Sequence, residues 1–134
     1  MKESITERLK EVIEPDKAKE NLGHVTIHQA RELIRDAGAI LLDVRPPAKV
    51  NGDNAQEADI PNAYYMPYPS FYEYADELPV NKSDAIVVAC LKGWYANRVM
   101  GYLEMLGYSN VYVLDTNIED LIEVHKAEKE IEKK

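Results

Sequence analysis

The chain has 134 residues, 46% of them hydrophobic and 30% charged, with a formal net charge of -8. That length is enough for one domain with its own core, and the acidic balance excludes the basic patches by which proteins hold nucleic acid or anionic membrane. The single cysteine allows no internal disulfide, no Cys/His cluster has metal-ligand spacing, and the longest apolar run, near Ala85 to Leu91, is too short to span a bilayer.

Met1-Lys2-Glu3-Ser4 leads into charged residues rather than an apolar leader, so a cytoplasmic protein is expected. Ser4-Ile5-Thr6-Glu7 has capping-box spacing, and Ile5, Leu9, Val12 and Ile13 make one apolar face, which predicts a short helix interrupted at Pro15. Asp16 to Gly23 reads as a polar connection. Thr26-Ile27-His28-Gln29 repeats the capping-box spacing, with Ile27, Ala30, Ile34 and Ala37 at helical intervals until Gly38 ends the element. Ala39 to Leu42 is a compact apolar strand that stops at Asp43 and then at Pro46-Pro47, and Asn51 to Asp59 is loop. The segment Ala63 to Tyr74, aromatic at Tyr64, Tyr65, Tyr68, Phe71, Tyr72 and Tyr74, predicts a short strand and a helical turn. Its tyrosines read as half-buried packing residues, with a partner-docking surface as the alternative.

Ala85 to Ala89 carry no polar side chain and are too few for an ordinary helix, so they predict a strand covered on both faces. Past Cys90 the period changes: Ala96, Val99, Met100, Leu103 and Leu106 follow helical spacing, Asn97, Arg98, Gly101 and Glu104 form a polar stripe, and Gly107 stops the helix. Val111 to Leu114 is a further buried strand. Ile118, Leu121, Ile122 and His125 mark a final amphipathic helix, with Glu128 to Lys134 as a solvated tail. Strands alternating with helices predict an α/β fold, a mainly parallel sheet with helices on both faces, whose site lies at the carboxyl ends of the strands. Asp43, Arg45 and Cys90 all fall at that edge.

Cys90 therefore sits where a strand runs into a helix. The first N–H groups of a helix lack partners and carry partial positive charge, an environment that favours a thiolate over a thiol. Lys92 adds a full positive charge nearby, and Gly93 can take positive φ, letting successive N–H groups face one point above the sulfur. Each feature also has a plainer reading. A lone cysteine ending an apolar strand is often a small core residue, Lys92 an ordinary surface lysine, and Arg45 with Asp43 a tie at a strand end. Of Trp94 and Tyr95, one is read as packing and the other as an apolar wall beside the cysteine. His24, His28 and His125 are scattered, and none is placed as a base.

The loop Cys90-Leu91-Lys92-Gly93-Trp94-Tyr95-Ala96 resembles the Cys-x-Lys-Gly-x-x-Ala loop of rhodanese-like sulfurtransferases, in the version associated with thiosulfate. Leu41-Leu42-Asp43-Val44-Arg45 is similar to that family's Leu-Asp-Val-Arg strand end, Asp59-Ile60-Pro61-Asn62-Ala63 to its His-Ile-Pro-Gly-Ala, and Leu106-Gly107-Tyr108-Ser109-Asn110-Val111 to its Leu-Gly-Phe-x-Asn-Val. The chain departs from the family at Asp59, Asn62 and Tyr95, at Asp115-Thr116-Asn117 in place of a Gly-Gly pair, and at Ala48-Lys49, where the acidic partner of the arginine is missing.

The resemblance implies a three-layer rhodanese-like fold over residues 24–126, after an N-terminal helical extension at 1–23 and before a charged helix end or tail at 127–134. It implies a sulfurtransferase that needs no cofactor or metal. Cys90 would take a sulfane sulfur from an anionic donor such as thiosulfate and pass it, as a persulfide, to cyanide or a thiol, with a protein as a further candidate acceptor. Leu91, Lys92, Gly93, Trp94, Tyr95, Ala96 and Arg45 would bind the substrate. The alternative is a non-catalytic rhodanese-like module for protein interaction or sulfur sensing. A phosphatase of the Cys-x5-Arg type is excluded by spacing, because the position of its arginine is held by Ala96 and Arg98 comes two residues too late.

Overall fold

Ile86–Ala89 is buried on both sides because the chain supplies apolar faces for both. The computed structural model describes residues 2–133; Met1, where the N-terminal reading starts, and Lys134, where the tail ends, lie outside it. Five strands form one parallel sheet: β1 (His24–Val25), β2 (Ile40–Asp43), β3 (Ala63–Tyr65), β4 (Ile86–Ala89) and β5 (Val111–Leu114), in the order β1-β5-β4-β2-β3. Four α-helices accompany it: α1 (Lys2–Ala18), α2 (Ile27–Ala37), α3 (Trp94–Met105) and α4 (Ile118–Glu132).

The period of a strand sends alternate side chains to opposite faces. On β4, Val87 and Ala89 join a core with residues of α2 and α4, including Ala30, Ile34, Leu121 and Ile122. Ile86, Val88 and Cys90 join the other core, with Val99 and Leu103 of α3 and Phe71. Cys90 is thus sent by the pleat to the α3 side. The capping box at Thr26 is formed, its hydroxyl accepting from Gln29 N and its N–H donating to the Gln29 side chain, and Gly38 closes α2 in the left-handed conformation.

The structure corrects the sequence reading at both ends of the chain. Ser4 is inside α1 rather than at its cap, and α1 runs through Pro15 to Ala18. Pro15 is exposed and near the helix end, where water can take the carbonyl that loses its donor. The expected connection at 16–23 is the end of α1 and a 3-10 turn, Glu20–Gly23, in which Asn21 and Leu22 have positive φ. It leads into β1, too short to leave a pattern in sequence. At the other end α4 extends through most of the expected tail, to Glu132. Leu106 is 55% exposed rather than part of the buried face of α3.

The aromatic segment does form a short strand, β3, and then a 3-10 helix, Tyr68–Glu77. Just before it, Asn62 stands where the family has glycine and adopts φ 60°. Asparagine is the side chain that best tolerates that conformation, so the turn survives the exchange. Among the described residues no helix is long and apolar enough to cross a membrane.

Candidate active site

Parallel pairing puts the carboxyl ends of β2 and β4 side by side: Asp43 is the register partner of Ala89, and Val44 N donates to Ala89 O over 3.0 Å. The residues following those two strand ends therefore share one edge of the sheet. Cys90, 1% exposed, begins the link from β4 to α3, and the next three residues curl back over its side chain. Gly93 makes that curl possible, with φ 86° as the residue capping α3. Its N–H donates to Cys90 Sγ at 3.0 Å. A donor aimed at sulfur stabilises negative charge there.

Two more contacts hold the loop, and neither was read from sequence. Asn97, placed in the polar stripe of α3, donates to Gly93 O from its backbone N–H and again from Nδ2, both at 2.8 Å. The Gly93 carbonyl thus points into the helix, and the N–H of Trp94, on the opposite side of the same planar peptide, points out toward the loop. The signal was available: residue 97 is one helical turn beyond Gly93, where an Asn side chain reaches back to a carbonyl. The second contact is from α4, whose first N–H, that of Ile118, donates to Cys90 O at 3.0 Å.

The loop side chains divide by exposure. Ala96 is buried, Leu91 and Tyr95 are half-buried, and Lys92 and Trp94 are exposed. Lys92 Nζ lies 6.0 Å from the centroid of the Trp94 ring, and Tyr95 packs against Tyr68 with ring centroids 5.2 Å apart. Tyr95 is therefore the packing residue of the pair and Trp94 the one facing solvent.

Residues 26–123 match the model of the rhodanese-like domain family. The chain belongs to that family. This rhodanese-like domain is 28% identical to the thiosulfate sulfurtransferase GlpE of Pseudomonas syringae pv. syringae (strain B728a) over 88 residues, 66% of this chain and 76% of the relative. Among solved structures it is similar to the single-domain sulfurtransferase RDL2 of Saccharomyces cerevisiae, with TM-score 0.55, 22% identity, and coverage of 78% of this chain and 91% of that one. It is also similar to the rhodanese-like domain of the Alr3790 protein of Anabaena sp., with TM-score 0.57, 18% identity, and coverage of 76% and 74%.

Arg45 of this rhodanese-like domain is buried rather than at its surface, and both it and Asp43 have no exposed area. Its Nε and Nη2 fork onto Asp43 at 3.0 and 2.7 Å, and Nη2 also donates to Asp53 O. Asp43 in turn accepts from Ala55 N. Arg45 Nη1 makes no hydrogen bond, its nearest acid being Glu119 of α4 at 3.7 Å. Burial works against the charge of Arg45, but the hydrogen bond and charge of Asp43, with Glu119 adding, outweigh it and raise its pKa above the ordinary arginine value. Asp43 and Glu119 thus serve as the acids for which positions 48 and 49 offer none.

Proposed function

We propose that this rhodanese-like domain is a thiosulfate sulfurtransferase with Cys90 as its nucleophile. The Cys90 thiolate attacks the outer sulfur of thiosulfate, a new S–S bond forms, the old one breaks, and sulfite leaves with its electron pair. The outer sulfur of the Cys90 persulfide is then attacked by cyanide or a thiol, and Cys90 departs as thiolate. The observation that carries this reading is the Gly93 N–H aimed at Sγ from 3.0 Å, at the mouth of a helix whose other free N–H groups, from Trp94 to Ala96, are available to the outer sulfur. Such fixed donors stabilise developing charge without reorganising.

Lys92, exposed beside the loop, supplies attraction for a dianionic donor. Leu91 and Trp94 supply walls, Tyr95 packs the loop onto Tyr68, and Arg45 acts by fixing the neighbouring strand end. A thiol that must cycle between thiolate and persulfide, in a chain with no other cysteine, suits the reducing conditions of the cytoplasm.

Intact-mass measurement tests the proposal. Incubation with thiosulfate should add one sulfur atom to the wild type, reductant should remove it, and Cys90→Ser should never acquire it. Thiosulfate and cyanide together should give thiocyanate. No sulfur uptake and no thiocyanate would leave the chain as a non-catalytic module of the same family. Hydrolysis of an aryl phosphate dependent on Cys90 would overturn the loop argument as well.

A further inference from the structure

Apolar surface continues outward from the Cys90 loop. On α3, Trp94, Arg98, Tyr102 and Met105 fall on one face, a strip about 16 Å long at 1.5 Å per residue, and Trp94 is 73% exposed. Beside its far half lies a groove of about 570 Å³, lined by Tyr68, Phe71, Tyr72, Leu78, Tyr102 and Leu106 among others. Tyr72 is 77% exposed and Met105 and Leu106 about half exposed. Tyr68 joins the groove to the loop, packing on Tyr95 on one side and stacking at 6.5 Å on Tyr102 on the other. Contiguous exposed apolar surface of this kind marks a place where something binds, and neither thiosulfate nor cyanide has apolar surface to cover it.

The charges along the strip are unequal. Lys92 and Arg98 are exposed at the loop end, whereas the 3-10 helix exposes Glu73 and Asp76, each next in sequence to a groove-lining residue, Tyr72 and Ala75. A second copy of this chain would bring a further -8, and net charge of that size opposes self-association.

We propose that this strip and groove dock a protein sulfur acceptor: a segment that presents a cysteine thiolate to the loop, lays apolar side chains along α3, and carries lysine or arginine against Glu73 and Asp76. The proposal rests on Cys90 being the sulfur carrier. In the step it serves, the acceptor thiolate bonds to the outer sulfur of the Cys90 persulfide and the Cys90–sulfur bond breaks. The proton stays on the outer sulfur, the acceptor leaves as a persulfide and Cys90 as a thiolate, with no net oxidation.

The test uses two synthetic helical peptides, each with an N-terminal cysteine and leucines on one face, one ending in lysines and the other in glutamates. Sulfur transfer from the loaded chain, read by mass, should be about tenfold faster to the lysine peptide at low salt, with the gap closing as salt rises. Leu106→Asp should slow transfer to that peptide about tenfold, as loss of an interface anchor does, and leave transfer to cyanide unchanged. Replacing Glu73 and Asp76 by lysine should reverse the preference between peptides. Equal rates for the two peptides, or no effect of Leu106→Asp, would overturn the docking. A lysine peptide with serine for cysteine separates the two levels, since its binding can be followed by Trp94 fluorescence without any sulfur. Failure of that peptide to bind overturns the docking, whereas binding by a wild-type chain that never loads sulfur overturns the carrier reading beneath it. Self-association abolished by Leu106→Asp would give the strip to a second copy instead.

Discussion

Asp43 and Arg45 are a charged pair with no access to water, and such a pair matters most when it is broken. Removing one partner of a buried ion pair leaves the other charge uncompensated, at a cost of about 3–5 kcal/mol. Asp43→Asn should therefore lower the free energy of unfolding, read by denaturant titration, by that much, whereas Asp43→Leu with Arg45→Met should recover most of the loss. Equal destabilisation by the single and double replacements would mean that the pair is worth its charge, not merely its completeness. Asn97 acts on a smaller scale. Asn97→Leu removes the Nδ2 donor to Gly93 O but keeps the shape, and loss of one hydrogen bond of about 1 kcal/mol should slow sulfur uptake from thiosulfate about fivefold. Stopped-flow measurement with the unfolding midpoint in parallel decides whether that loss belongs to the loop or to the fold.

Elements were legible in the sequence to the degree that they impose a period. The run 85–89, the heptad-like spacing from Ala96 to Leu103, the strand 111–114 and the box at Thr26 each declare their structure locally, and the structure has them. The two residues of β1 have no period; they are a strand only because His24 and Val25 find Val113 and Leu114 beside them. Pro15 misled because its cost depends on where in a helix it falls. At the site, the cysteine, its glycine and their junction could be read, but Ile118 N–H reaches the loop and Glu119 reaches Arg45 from the far end of the chain, and no spacing rule connects them. A buried contact between elements carries a prediction too. Lys19, after α1, donates to Glu104 of α3 at 3.2 Å and to Val111 O at 2.7 Å. Burial of Glu104, reinforced by the neighbouring Asp16 carboxyl and opposed by Lys19, leaves the Glu104 carboxyl with a pKa above its ordinary 4.5. The folded state then binds this proton more tightly than the unfolded chain, so stability from this group is complete below 4.5 and declines as pH rises through the raised value. Glu104→Gln should accordingly flatten that decline, making the variant gain on the wild type from pH 4.5 upward in thermal-unfolding scans. A variant that loses stability at neutral pH would show Lys19 to be the stronger neighbour.

Taken whole, the molecule opposes its proposed donor. A body of charge -8 repels thiosulfate at long range while Lys92 attracts it at short range, and salt weakens the long-range part most. Lys92→Ala should raise KM for thiosulfate more than for an uncharged persulfide donor. In the variant, kcat/KM for thiosulfate should rise with salt, because only repulsion remains to be screened; steady-state assays across ionic strength read the sign directly. A fall with salt in the variant would move the attraction from Lys92 to Arg98. The sheet order has its own consequence. Chains emerge from the ribosome N-terminus first, yet β1 waits for β5, and the carbonyl of Cys90 waits for the N–H of Ile118. Cys90 is thus synthesised well before the helix that fastens its loop. A nascent or truncated chain that stops short of residue 118 holds Cys90 without that contact, and under the proposed function it should take up sulfur more slowly than the full chain.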